Sequence, residues 1–239
     1  MFFFSKKTTI AASGILQGAV DHHSHILPGV DDGVETMDEA LRILATYEAA
    51  GIKTLWLTPH IMEDIPNTPQ KLEARFLELK AAYAGNITLH LAAEYMIDNH
   101  LRKQLQDKSP LLPIGTDGKH ILVETSYYNA PMRMNDTLQQ IKSLGYFPLL
   151  AHPERYMYLD NTDYLKLHSQ GVKYQLNLAS LAGGYGKTVK KKAEWLLANG
   201  LYNIAGSDLH CEDAIEFISK CKLREKVVEQ VEKLLHDSI

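Results

Sequence analysis

The chain has 239 residues, a formal net charge of −4, 45% hydrophobic and 23% charged residues. That is ordinary globular composition, and the length suits one large α/β domain. The acidic balance argues against a nucleic-acid-binding surface. No apolar run reaches the roughly 18 residues of a membrane span, and Cys211 and Cys221 make no disulfide framework.

Met1-Phe2-Phe3-Phe4-Ser5-Lys6-Lys7 resembles a signal peptide only briefly, because its apolar part precedes the lysines and no longer apolar region follows. A cytoplasmic setting is expected. Residues 1–14 read as an N-terminal extension and 15–239 as one domain.

An apolar run, Ile15-Leu16 to Val20, leads into alternating Asp21, His23 and His25. Side chains two apart on a strand share a face, so these three should project together, with His22 on the other side. Leu27-Pro28-Gly29 ends the strand, and Asp31-Asp32-Gly33 turns back. Glu35 to Glu39 opens an amphipathic helix, with Ala40, Leu41, Leu44 and Tyr47 at helical spacing and Gly51 as its stop.

Residues 52–57 read as a strand ending in Thr58-Pro59-His60, residues 69–84 as a helix, and 87–93 as a strand running into Glu94. A short polar helix and a Pro110/Pro113 loop follow. Further strands are expected at 120–123, 147–151, 172–178 and 201–205, alternating with helices at 135–144, 160–169 and 188–198. A last helix spans 225–235. Such alternation predicts parallel strands with right-handed crossovers, hence a barrel or a doubly wound sheet. The first strand is not followed by a Gly-rich phosphate loop, which weakens a dinucleotide fold.

Metal-capable residues stand where strands end. They are His23, His25 and Asp32 after the first strand, His60 after the second, Glu94 after the third, Glu124 after the fourth, His152 after the fifth, and Asp208 and His210 after the seventh. The sixth, ending near Asn177 and Ser180, offers no strong ligand. In a closed parallel barrel the C-terminal strand ends meet on one face, so these residues would converge there. Five histidines and four carboxylates exceed the needs of one cation and suit two or three. Nitrogen and oxygen donors without thiolate favour Mn²⁺, Fe²⁺ or Zn²⁺.

A hydroxide held between such cations attacks phosphorus at neutral pH, and paired cations clamp the attacking and leaving oxygens. Arg155 could place its guanidinium on phosphate oxygens, unless it pairs with Glu154 at the surface. Arg133 is a second, weaker candidate for substrate binding. Asp208 and His210 are candidates for the acid that protonates the leaving group. A cysteine phosphatase needs an arginine six residues after its thiolate, where this chain has Phe217 and Val227. No G-x-S-x-G elbow is present either.

With these motifs in hand, the chain resembles the polymerase-and-histidinol-phosphatase (PHP) superfamily, and within it the bacterial capsule-type protein-tyrosine phosphatases. The resemblance is carried by Asp21-His22-His23-Ser24-His25 with Leu27-Pro28-Gly29-Val30-Asp31-Asp32-Gly33, Thr58-Pro59-His60, Ala93-Glu94, Val123-Glu124, Ala151-His152-Pro153-Glu154-Arg155-Tyr156 and Gly206-Ser207-Asp208-Leu209-His210. It implies a distorted (β/α)₇ TIM-like barrel and a cluster of metal ions, usually assigned Mn²⁺, held by the nine residues named above. It also implies Arg155 near phosphate, and as substrate a phosphotyrosine protein, the bacterial tyrosine kinase of polysaccharide export. Relatives often carry an arginine shortly after the final D-x-H. Here Cys211 to Phe217 contain none, so phosphate binding would rest on Arg155, with Arg133 or Lys187. The rival readings are a small-molecule phosphatase of histidinol-phosphate type and a metal-stabilised scaffold that binds a kinase.

Overall fold

The structure is a computed structural model and describes residues 7–237 and 239. The Phe-rich start, apart from Lys7, lies outside the described residues. Strands are β1 (Lys7–Thr9), β2 (Val20–Ser24), β3 (Thr54–Leu57), β4 (His60–Ile61), β5 (Thr88–Leu91), β6 (Glu94–Met96), β7 (His120–Glu124), β8 (Phe147–Ala151), β9 (Lys173–Asn177), β10 (Ile204–Gly206) and β11 (Lys222–Arg224). Apart from a β1–β11 antiparallel ribbon, the strands pair in parallel, in the orders β10-β9-β8-β7-β6-β4 and β2-β3-β5. The result is an α/β fold with a curled parallel sheet.

The two sheets join into one curve. Thr58-Pro59 and Ala92-Ala93 separate β3 from β4 and β5 from β6, yet the hydrogen bonding runs on across the break. Ala92 N–H donates to the Leu57 carbonyl and Glu94 N–H to the Pro59 carbonyl. At the other edge β2 meets the chain leaving β10. Ser24 and Leu209 form a parallel bridge, His25 N–H donates to Leu209 O (2.9 Å), and Asp208 N–H donates to His23 O (2.8 Å).

Side-chain alternation sorts the strand residues into two layers. Trp56, Leu122, Leu149 and Ile204 join Ala92, Ala151 and Ile114 in a small inner cluster that fills the curve. Neighbours one residue away, such as Leu55, Val123, Leu150 and Ala205, pack outward in the main core with the helices.

The helices start and stop where their caps dictate. Thr36 accepts from Glu39 N–H at the start of Met37–Ala50, and Gly51 ends it at φ 98°, a conformation suited to glycine. Thr68 caps Pro69–Ala82, with Pro69 in the first turn. Asp160 and Asp163 form a capping box on Asn161–Ser169. Elements outside the expectation from sequence are the helices Ile10–Ser13, Leu178–Ala182 and Asp213–Ser219, the short 3-10 turn Pro153–Arg155 and the β1–β11 ribbon. Residues 7–13, assigned to the extension on sequence, are packed into the fold, with Ile10 fully buried. Among the described residues, no helix is long and apolar enough to cross a membrane.

Candidate metal centre

All nine expected ligands converge on one face of the curve, most at or just after the C-terminal ends of strands, with His60 and Glu94 opening β4 and β6 just past the ends of β3 and β5. The sheet register does much of this. β4 sets His60 beside Glu94 of β6, and β6 sets Met96 beside Glu124 of β7. Closure of β2 onto the chain after β10 then brings His23 and His25 to Asp208 and His210. Two of the nine sit on strained backbone: His152 at φ 34° and Asp208 at φ 53° are left-handed without being glycine. Gly206 allows the close approach, because a Cβ there would meet His23 Cβ at 2.6 Å and His23 N at 2.7 Å.

Three groupings of donor atoms emerge: His23, His25, Glu94 and Asp208; His25, Asp32, His60 and His210; and His60, Glu94 and Glu124. His152 Nε2 lies 3.1 Å from Glu94 Oε1 and 4.0 Å from Glu124 Oε2. All nine are buried except Asp32 and His210 at the lip.

The donor set fits cations for a reason visible in its hydrogen bonds. His23 Nδ1 is 3.0 Å from Gln175 Oε1, and His25 Nδ1 is 2.8 Å from Asp31 Oδ2. Both partners are acceptors, since Gln175 Nε2 is spent on the Leu176 carbonyl. Each Nδ1 therefore carries a proton, which turns the two Nε2 atoms towards each other at 3.1 Å, each open to a cation or, without one, to a second proton that the nearby carboxylates favour. Both Nε2 atoms also face Glu94 Oε2 at 3.2 and 3.4 Å. Both Glu94 carboxylate oxygens, His60 Nδ1 and His152 Nδ1 are buried without a hydrogen-bond partner. Donors of this kind turned on one another in a buried site suit a positive centre among them.

Charge in the cation-free site is uneven. Burial would raise the Glu94 carboxyl, but His23, His152 and His25 outweigh it and hold it well below its ordinary value. Glu124 goes the other way, pushed well up by burial and by the charges of Glu94 and Asp208. Burial and His25 push His60 down. Asp31 falls to about 2 because its bond to His25 and that imidazole's charge outweigh burial.

Arg155 stands over the cluster. Its Nη1 donates to Asp208 Oδ2 at 2.7 Å, and its guanidinium carbon lies 4.3 Å from the Tyr127 ring centre and 4.1 Å from that of Tyr185. The sandwich holds the guanidinium plane and leaves its edges for oxygen acceptors. The Glu154 partner considered on sequence is absent. Glu154 is fully buried, accepting from Asn177 N–H and Tyr202 O–H. A cleft of about 370 Å³ opens above, lined by Asp32, Tyr127, Arg155, Tyr185, His210 and Cys211 among others.

Other expectations change. Arg133 is not brought to the cleft. Its side chain is 72% exposed and pairs with Asp136 at 2.9 Å, on another surface. Asp21 does not share the donor cluster with His23 and His25. It accepts from the backbone N–H groups of His23 and Ser207 and from Tyr47 O–H, tying the first strand to the last. His22 does face away, buried, with Nδ1 on the Ala205 carbonyl.

Sequence reasoning missed the supporting residues. Asp31 orients His25 and accepts from His60 N–H. Gln175 orients His23 and accepts from His152 N–H, and Asn177 Nδ2 donates to Asp208 Oδ2 at 2.8 Å. Gln175 and Asn177 sit two apart on β9, on its inner face. That spacing was the available signal, but carboxamides on a strand are not distinctive. Tyr127 and Tyr185 lie on loops with no motif of their own.

The chain is similar to known proteins over nearly its whole length. The tyrosine-protein phosphatase CpsB of Streptococcus pneumoniae is 26% identical over 243 aligned residues, covering 92% of this chain and 99% of the relative. The tyrosine-protein phosphatase YwqE of Bacillus subtilis is 29% identical over 197 residues, covering 80% and 77%. A solved structure from the pair YwqE of B. subtilis and CpsB of S. pneumoniae, described as unique metal-dependent tyrosine phosphatases, superposes with TM-score 0.73. It is 23% identical and covers 92% of this chain and 95% of the solved one. A lactonase from Listeria monocytogenes, 10% identical, shares the fold at TM-score 0.52. The model of the family described as "Capsular polysaccharide synthesis, CpsB/CapC" matches residues 19–234, and the chain belongs to that family.

Proposed function

We propose that this protein is a metal-dependent phosphoesterase that hydrolyses phosphotyrosine on a protein. The observation that carries the reading is the convergence of nine nitrogen and oxygen donors beneath one clamped arginine. The tyrosine-phosphatase names of the relatives support it. Counting β3 with β4 and β5 with β6 as kinked single strands supports a distorted (β/α)₇ barrel.

Two or three divalent cations, Mn²⁺ by preference and otherwise Fe²⁺ or Zn²⁺, would be held by His23, His25, Asp32, His60, Glu94, Glu124, His152, Asp208 and His210. When bound they supply a hydroxide at neutral pH and a positive clamp on the phosphoryl oxygens. The chain's own groups do the rest. Arg155 binds a non-bridging phosphate oxygen through the guanidinium edges left free by the two tyrosine rings. Asp208 accepts from Arg155 and Asn177 and is held ionised by His23, which removes it as a proton donor. His210, at the lip with Nδ1 on the Asp208 carbonyl, carries the proton only if its Nε2 is not committed to a cation.

Tyr127 and Tyr185 give the cleft an aromatic rim. That favours an aryl phosphate over histidinol phosphate, whose ammonium group would meet the Arg155 charge. The partner this reading implies is a cytoplasmic tyrosine kinase of polysaccharide export. The test is turnover of a phosphotyrosine peptide by protein loaded with Mn²⁺, beside the His23→Ala/His25→Ala variant. Turnover that needs the metal and disappears in the variant is expected. Faster turnover of histidinol phosphate would reverse the substrate choice, and no turnover of either would leave a scaffold.

A further inference from the structure

A short loop joins the helices Leu178–Ala182 and Gly186–Ala198 and carries Tyr185 to the metal-centre cleft. Its turn needs glycine at Gly183 and Gly186, both left-handed at φ 88°. The Tyr185 ring lies on the Arg155 guanidinium, 4.1 Å from its central carbon. What the hydroxyl at the end of that ring can do is set by Asn177. Asn177 Oδ1 accepts from Ala179 N–H at 2.8 Å, which fixes the orientation of the amide. Its nitrogen then has two hydrogens to place. One goes to Asp208 Oδ2 at 2.8 Å and the other to the Tyr185 hydroxyl oxygen at 3.2 Å.

An amide nitrogen only donates, so the hydroxyl accepts there and keeps its own hydrogen to give. Among the described residues that hydrogen has no acceptor. Burial and the Asp208 charge push the phenol above its ordinary value, so the proton stays on it at neutral pH. Tyr185 is exposed in the cleft, where an incoming group can reach it. Arg155 Nη1 and Asn177 Nδ2 donate to the same Asp208 oxygen. Guanidinium, amide and phenol are thus gathered round one atom, and both the guanidinium and the phenol keep donors unspent. An anionic oxygen is the acceptor that suits the pair.

We infer that the Tyr185 hydroxyl donates to a non-bridging oxygen of the substrate phosphoryl group, beside Arg155. The inference rests on the phosphate-ester reading above and adds a catalytic residue to it. The ring of Tyr185 steadies the arginine, and its hydroxyl touches the substrate. A donor already fixed by Asn177 needs no reorganisation as charge shifts on the phosphoryl oxygens, which is when such a contact stabilises most.

Tyr185→Phe keeps the ring over Arg155 and removes only the O–H. Isothermal titration of inorganic phosphate into the Mn²⁺-loaded full chain reads the contact without catalysis. Affinity should fall about tenfold in the variant, the scale of one hydrogen bond to a charged group. Turnover should fall with it, kcat/KM dropping by about 10–100-fold. The factor should be the same for a phosphotyrosine peptide and for p-nitrophenyl phosphate, since both present the same phosphoryl oxygens. The thermal midpoint, and Mn²⁺ affinity by chelator competition, should stay at wild-type values. Wild-type phosphate affinity and kcat/KM in Tyr185→Phe would overturn the inference and leave the phosphoesterase reading standing. A loss confined to the phosphotyrosine peptide, with phosphate affinity kept, would overturn it too, by placing the hydroxyl on the leaving oxygen. So would an equal fall in Mn²⁺ affinity, which would trace the effect to Asp208 through Asn177. Phosphate bound through Tyr185 by a wild type that hydrolyses neither ester would sustain the contact and sink the reading above; no phosphate binding by the loaded wild type would sink both.

Discussion

The metal centre and the β1–β11 flank both gather like groups, and they differ in what surrounds them. In the centre, carboxylates and imidazoles are turned inward, buried, with atoms left unpartnered. On the flank, Lys7 sits opposite Arg224, and both are exposed with Lys222, where water screens them. The first arrangement gains from a cation at its centre. The second costs the fold little. Burial, more than the count of charges, decides whether such a cluster needs a counter-ion.

The largest expected effect breaks the centre. Stripping the cations with a chelator should lower the thermal midpoint by about 10 °C, because a ligand held far above its dissociation constant contributes several kcal/mol. Calorimetry with and without Mn²⁺ reads it.

A finer cut removes support without touching a donor. Gln175→Leu frees His23 Nδ1 and leaves the His152 N–H without its acceptor. Metal affinity should drop by about 10–100-fold, measured by competition with a chromophoric chelator, and Gln175→Glu should restore part of it.

His22 offers a comparison within one strand, next to a donor but on the other face. Burial lowers it from 6.5 to about 4. A histidine held neutral when folded costs nothing above its unfolded pKa, and stability falls as pH drops from 6.5 towards 4. The loss reaches about 2 kcal/mol near pH 5, at 1.36 kcal/mol per unit. Urea midpoints of the wild type and His22→Gln, both in chelator, should differ in their pH dependence by that amount. The smallest effect is on the flank: Arg224→Gln should move stability by no more than about 0.5 kcal/mol in either direction, as expected of an exposed charge without an ion-pair partner among the described residues.

How far the sequence could be read follows the same division. Donors at strand ends were legible because histidines and carboxylates are uncommon there, and because parallel strands bring their ends together. Gln175 and Asn177 were not, since what singles them out is contact with residues far along the chain, and Asp31 was not told apart from its neighbour Asp32. Arg133 shows the converse: a guanidinium near the right motifs is not thereby near the site, and Asp136 three residues on claims it. The ribbon was invisible because three-residue strands carry no periodicity.

The seam between Ser24 and Leu209 has a consequence for biosynthesis. During translation the first strand emerges almost two hundred residues ahead of its seam partner. His23 and His25 must wait, unsealed, while the intervening helices form. Completion of the donor cluster is therefore a late event, since a nascent chain stalled before Asp208 lacks two of its nine members, Asp208 and His210.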